Sequence, residues 1–505
     1  MRAASKNMTM SIVCRVVSLI SGLIVQRYIL LAFGSTLNGL TTSINQAMAY
    51  LVLLEAGLGT ASIQALYDPL TTGDWKTVSG IFTATGREYK KISAIFVIAL
   101  ISISILIPLA VSREVEFFTA GLLTFITGAS YIVSYIMGGK YKALLDADRK
   151  IYVLYILDSF STALSCVLRV TALNSGLGIV PVQLINLACI AIKNAGYVIY
   201  VRHKYCKLDY YERPNIKAIS KRWNVLIHSI AGIVVNNTDV VILTIFGSLK
   251  TVSVYGIYNM VFSQMNSIIQ TTFMQATQSS FGRIYHSDRK RYEELYELYE
   301  FVISFVLFLV CSIAIVMILP FVEVYTTGIN DVEYVDRFLP ILFALILLMN
   351  QIRIPALITI NVAGHFKETQ NAAILEAIIN IVVSLILFFF TDLGLYGLLI
   401  GTVCSYLYRT TDVIFYLHKH LIGKTMRSTL KTYVADLIAA IMVVGLFYIA
   451  SPIHAVSVIG WVMKACCVSV VAFLLFLLIN WVFDKKKIVT IISFLRNRFS
   501  KSKEK

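Results

Sequence analysis

The chain has 505 residues, 58% of them hydrophobic and only 14% charged, with a formal net charge of +16 and a mean hydropathy of +0.77. That composition excludes a soluble globular protein, whose surface would aggregate with so few charges to cover it. The positive charge calls for no nucleic-acid partner, because anionic lipid on an inner leaflet accounts for it.

Apolar stretches of 18 or more residues, each able to span about 30 Å of hydrocarbon, follow one another along the chain. Six lie near 9–33, 37–66, 92–111, 117–139, 152–173 and 180–201. Six more lie near 224–247, 251–282, 298–321, 338–363, 371–391 and 394–417, and two close the chain near 433–450 and 457–483. These fourteen predict an all-α polytopic membrane protein. The first run has no small-residue cleavage site after it and reads as a permanent helix rather than a signal peptide. The eight cysteines are scattered, with neither a C-x-x-C nor a metal-ligand spacing, so no metal or cofactor is expected. Lysines and arginines crowd the connections on the N-terminal side of the membrane, and only Arg113, Lys250 and Arg337 fall on the other. Both termini are therefore expected in the cytoplasm. The tail "KKKIVTIISFLRNRF" puts Ile488, Ile491, Ile492, Leu495 and Phe499 on one helical face, which suits a helix lying on the membrane or a disordered basic stop signal.

The chain resembles itself at an offset near 215. "ILLAFGS" (29–35) returns as "ILTIFGS" (242–248), Pro108 matches Pro320, Asp158 matches Glu376, and Lys193 falls on Arg409. The expected organisation is a six-helix bundle at 1–210, a second at 211–425, two further helices at 426–483, and a basic tail at 484–505. Six is even, so the repeat is parallel; such halves commonly flank a substrate site.

Polar residues form stripes on several spans. Ser11, Arg15, Ser18, Gly22 and Gln26 share a face of the first, and Asn38, Thr41, Asn45, Glu55, Gly59 and Ser62 a face of the second. In the other half His228, Gly232, Asn236 and Asp239 line the seventh, and Tyr255, Asn259, Ser263, Asn266, Gln270 and Thr277 the eighth. Lipid cannot satisfy these groups, so they face protein or water. Either they pair across a packed bundle, as Arg15 with Glu55, or they line a hydrated cavity. Arg27, Arg169 and Lys464 sit near span ends, where they can snorkel. Arg353 is deeper and is followed by Pro355, which breaks or kinks a helix. Lys193 and Arg409 suit an anionic headgroup or the partnership of acidic neighbours. Glu55, Asp239 and Glu376 are candidate proton or cation sites.

The segment "FGSTLNGLTTSINQAMAYLVLLEAGLGTASIQALYDPL" (33–70) resembles the second-helix signature of bacterial polysaccharide repeat-unit flippases. These form a branch of the superfamily that also holds multidrug and toxin extruders and the lipid II flippase. The resemblance implies a V-shaped fold with alternating access. It also implies a substrate, an oligosaccharide on a polyprenyl diphosphate moved from inner to outer leaflet of the bacterial plasma membrane. By position Arg15 takes the diphosphate-binding role, with Arg353, Arg409 and Lys193 as further cations. Asn38, Asn45, Asn259, Asn266 and Gln270 would then hydrogen-bond the sugars. Implied partners are membrane lipids and the polymerase and glycosyltransferases of the same pathway. The alternatives are a cation-coupled drug extruder of the same superfamily and, less compatible with the short outer loops, a membrane-embedded polymerase or ligase. No Walker motif is present, so ATP is not expected as the direct energy source.

Overall fold

The computed structural model describes residues 2–55, 57–219, 235, 237–365, 368–423, 426–450 and 457–503. His228, Gly232 and Asn236 lie outside the described residues. Among the described residues ten helices are long and apolar enough to cross a membrane, and one of them, Thr9–Glu55, contains the first expected span and most of the second. The protein is thus a multi-pass helical membrane protein. By packing it divides into two units, Met1–Val254 with Gly328–Val332, and Tyr255–Thr327 with Glu333–Lys505.

In the first unit α1 (Arg2–Val52) bends at Gly34, whose φ of +75° belongs to the left-handed region that glycine tolerates. A Cβ there would also lie 3.1 Å from the Asp331 carboxylate. A short turn, Leu53–Glu55, leads to α2 (Leu58–Thr72). Asp74 caps α3 (Trp75–Ala110) by accepting from the Thr77 amide at 3.1 Å. Next come α4 (Phe117–Val133), a π turn at Ser134–Gly138, α5 (Gly139–Ala147), α6 (Ile151–Asn174) and α7 (Ile179–Lys204). Large buried side chains such as Leu40, Ile44, Met48, Phe82, Phe96 and Tyr197 form the core, while Ile12, Val16, Ile20 and Ile24 make an exposed apolar row on α1. Such a row suits lipid.

The start of the second sequence repeat also packs in this unit. α8 (Asn237–Phe246) and the first turns of α9 (Leu249–Ile269) lie on the second half of α1. The approach is close: a Cβ on Gly39 would sit 1.8 Å from the Leu249 carbonyl oxygen. Hydrogen bonds stitch the seam, from Asn38 Nδ2 to Ser253 Oγ at 2.7 Å, between the Ser43 and Thr244 hydroxyls at 2.6 Å, and between the Tyr50 and Thr238 hydroxyls at 3.2 Å.

The second unit repeats the plan. After a π turn at Gln270–Gln275 come α10 (Ala276–Ser287) and α11 (Arg289–Tyr325), capped by Asp288 through the Arg291 amide. α12 (Leu339–Ile352) and α13 (Ile354–Ala363) meet at Arg353, two residues before Pro355. α14 (Gln370–Phe390), α15 (Leu395–His420), α16 (Arg427–Ala450) and α17 (Val458–Lys503) follow. α17 is interrupted at Asp484, and the basic tail continues beyond as helix, with Ile488 buried.

The sequence repeat has a structural counterpart. Asp74 and Asp288 cap the third helix of each half, and Pro108 and Pro320 fall near the ends of those helices. The second helix of each half is broken at 53–57 and 270–275, and the fourth at 134–138 and 353. These breaks change the expected polar faces. Asn38, Thr41 and Asn45 precede the break, whereas Glu55 lies within it and accepts from Tyr89 Oη at 2.7 Å, and Ser62 accepts from Thr85 at 3.0 Å. The single face drawn from Asn38 to Ser62 assumed one continuous helix.

Candidate functional site

The first unit encloses a cavity of about 420 Å³ between α1, α4, α6 and α7. α1 presents Ser18, Ser21, Gly22 and Gln26 from the segment before its bend, and Asn38, Thr41, Thr42 and Asn45 from the segment after it. The bend at Gly34 is therefore what brings two polar stripes of one helix onto the same space. α6 adds Ser161, Thr162, Ser165 and Arg169, α7 adds Gln183, Asn186 and Lys193, and α4 adds Thr127. Among the described residues that line it, none carries a carboxylate and none an aromatic ring.

Part of this lining is held in place by its own hydrogen bonds. Ser165 donates to Asn186 Oδ1 at 3.1 Å, Gln183 donates to Thr127 at 3.0 Å, and Thr41 and Thr42 donate to the Asn38 carbonyl. The two cations differ. Lys193 Nζ lies 3.0 Å from Asp158 Oδ1, which also accepts from Tyr197 Oη at 2.9 Å. Arg169 Nε is buried without a hydrogen-bond partner.

Of the residues singled out in the sequence, Ser18, Gly22, Gln26, Asn38, Thr41, Asn45, Arg169 and Lys193 line the cavity. Arg15 lies one turn before Ser18 on α1, half-buried and outside the lining. Asp239 is buried on α8. Ser161, Thr162, Ser165, Gln183 and Asn186 were not anticipated, and Arg169 had been read as a snorkelling end residue. Their spacing carries the signal: 161, 165 and 169 follow one another by four, and 183, 186 and 193 share a helical face.

The other candidates belong to the second unit. Arg353 Nη1 donates to Glu376 Oε1 at 2.8 Å and Nη2 to Asn350 at 2.9 Å, over the face of Tyr406. Arg409 Nε lies 3.7 Å from Glu376 Oε2, and its Nη1 donates to Asp412 at 2.8 Å. Glu376, Arg353 and Arg409 thus form a buried ionic cluster. Its Glu376–Arg409 edge is the repeat counterpart of Asp158–Lys193. Asn266 Oδ1 accepts from Asn350 and Gln351 on α12, Asn259 is half-buried, and Gln270 is exposed at the π turn.

Comparison with solved structures establishes the fold. The lipid II flippase MurJ in an inward closed conformation is similar at a TM-score of 0.70 and 14% identity, covering 94% of this chain and 98% of that one. An inward-facing multidrug resistance MATE family transporter of the MOP superfamily is similar at 0.62 and 14% identity, covering 86% and 96%. A MOP superfamily transporter from Pyrococcus furiosus, described as having a binding pocket of reverse polarity, is similar at 0.53 and 13% identity, covering 84% and 96%. No protein-family model and no curated protein matches the sequence.

Proposed function

We propose that the chain is a flippase that moves oligosaccharide repeat units on polyprenyl diphosphate from the inner to the outer leaflet of a bacterial plasma membrane, for capsule, O-antigen or related surface polysaccharide. One observation carries this reading: the cavity of the first unit sets hydroxyls and amides among apolar side chains such as Val25, Ile29, Ile44 and Leu123, and it is cationic where it is charged. Sugar hydroxyls both donate and accept, and Ser, Thr, Asn and Gln side chains match them on both counts. The fold also serves drug extrusion, so the choice rests on the site. A cationic drug would meet Arg169 and Lys193 with no carboxylate in the described lining, and without the aromatic rings that drug-sized ligands commonly use.

In this reading the basic loops mark the cytoplasmic side, and Arg15 stands near that mouth of the cavity. A guanidinium at mid-membrane costs roughly 2.5–3.5 kcal/mol on insertion scales. Bidentate bonds to a diphosphate offset that cost, since they are strong in a site of low dielectric. Asn45 would contact sugars, whereas Asn38, also expected there, is buried with its amide committed to Ser253. Glu55, Asp239 and Glu376 remain the candidates for ion coupling, and the polymerase and glycosyltransferases of the pathway the candidate partners. Arg15→Ala is expected to abolish surface polysaccharide and to accumulate lipid-linked repeat units on the inner leaflet, at unchanged protein level in the membrane. Export at the normal rate would remove Arg15 from the diphosphate site. Accumulation of a cationic dye in cells lacking the gene, with no lipid-linked intermediate, would favour an extruder.

A further inference from the structure

The cavity holds a second cation whose charge nothing nearby balances. Arg169 is half-buried on its wall, its Nε is sealed from solvent, and among the described residues no hydrogen bond or ion pair reaches its guanidinium. The contrast with Lys193 is direct, because Asp158 neutralises that ammonium at 3.0 Å. A guanidinium cannot shed its proton, and burying part of it without an opposite charge is costly. An arginine in this setting is balanced by something that enters the cavity with an opposite charge.

Its depth separates it from Arg15. Asn7 pins the start of α1 to the start of α6: its Nδ2 donates to the Arg149 carbonyl at 3.1 Å and its Oδ1 accepts from the Tyr152 amide at 3.1 Å. From that pin the two helices run side by side, so Arg169 is level with α1 positions near 24, beyond Arg15. At a rise of 1.5 Å per residue the two arginines are separated by about 14 Å along the helices. A ligand centred on Arg169 therefore sits deeper in the cavity than one centred on Arg15.

We propose that Arg169 reads an acidic sugar, binding the carboxylate of a uronate-type residue in the carried glycan, while Asn186, held by Ser165 one turn away, takes a hydroxyl. This rests on the flippase reading and adds to it that the transported repeat unit is anionic in its glycan and not only in its lipid phosphate.

The test uses the purified full chain in nanodiscs, with a uronate trisaccharide and its carboxyl-reduced neutral counterpart as probes. The wild type is expected to bind the acidic probe tighter by roughly tenfold or more, the scale of one charge-assisted hydrogen bond. Arg169→Gln should reduce acidic binding to the neutral level and leave neutral binding unchanged. Arg169→Lys should restore part of the preference, with thermal unfolding of both variants matching wild type as the control for folding. Equal binding of both probes by wild type, or a preference that survives Arg169→Gln, overturns the proposal. So does inorganic pyrophosphate competing for the site in an Arg169-dependent way, which would hand the residue to the diphosphate. A proteoliposome assay separates the two levels of the argument. If Arg169→Gln translocates an acidic lipid-linked oligosaccharide as fast as wild type, the acidic-sugar subsite is refuted and the flippase stands. If wild type translocates neither an acidic nor a neutral lipid-linked oligosaccharide, both fall.

Discussion

Replacing Glu376 by Gln is expected to unfold the second unit early, and the structure sets the size of the effect. The Glu376 side chain is 11% exposed and is shared by the side chains of Arg353, 11% exposed, and Arg409, 8% exposed. Arg409 keeps Asp412 when the charge at 376 is removed, but Arg353 keeps only the Asn350 amide and the Tyr406 ring. Removing one partner of a buried pair leaves an uncompensated charge and costs about 3–5 kcal/mol. For a unit of this size that corresponds to a midpoint lower by about 6–20 °C. The repeat-related substitution Asp158→Asn provides the internal comparison. Its pair with Lys193 has side-chain exposures of 32% and 18%, so solvent screens it and the loss should be nearer 1 kcal/mol and a few degrees. Thermal unfolding of both variants in one detergent, read by tryptophan emission, makes the comparison. Equal shifts, or a Glu376→Gln protein that melts with wild type yet fails to transport, would refute the view that this cluster is a structural clamp and return Glu376 to the coupling candidates.

At Asp331 the carboxyl is held below the ordinary carboxylate range: partial burial pushes it up, and hydrogen bonds from the Ser35 hydroxyl and amide, with Lys250 nearby, outweigh that. A depressed value contributes stability above the unfolded value of about 3.9 and loses it as pH falls through the folded value. The protection factor of the Ser35 amide, its exchange measured against the intrinsic rate at each pH, should therefore fall on acidification below about pH 4, and Asp331→Asn should show low protection at all pH; a protection factor flat with pH in wild type would contradict this. Gly39→Ala puts a methyl 1.8 Å from the Leu249 carbonyl, forcing α1 and α9 apart at a cost of about 1–3 kcal/mol. Disulfide trapping of a Ser43→Cys, Thr244→Cys pair should fall in the Gly39→Ala background; an unchanged yield would show that the seam has slack.

Long spans and the internal repeat were legible because they depend on residues close in sequence. Apolar length gives the helix, and an offset near 215 aligns Asp158 with Glu376 and Lys193 with Arg409. Pro355 announced the break that the structure places at Arg353, since a residue two before proline ends a helix easily. The breaks at 53–57 and 270–275 carry no proline, so the second and eighth spans were read as continuous, and Glu55 and Gln270 were drawn onto faces they leave. Arg169 was hidden for another reason. Setting a span end at 173 made snorkelling the simple explanation, and only the neighbouring stripe on α7 shows that its side of α6 faces a cavity. Nor can sequence periodicity announce that α8 packs on α1, because that contact joins residues about 200 apart through small side chains at Gly39 and Ser43.

The repeat then bears on where substrate chemistry resides. Both units keep an acid–base pair at the same place on the same helices, Asp158 with Lys193 and Glu376 with Arg409, which argues that the pair is part of the scaffold common to the two halves. What differs lies around it. In the second unit the neighbourhood is filled by two further charged groups: Arg353 and Asp412 complete an ionic cluster in which every charge has an opposite. In the first unit the corresponding pair borders the cavity, on whose wall Arg169 has no hydrogen-bond or ion-pair partner among the described residues. A cation without a partner among the described residues is where ligand recognition is to be sought, and on that ground Arg169, rather than the fully paired cluster at Glu376, is the residue to test first.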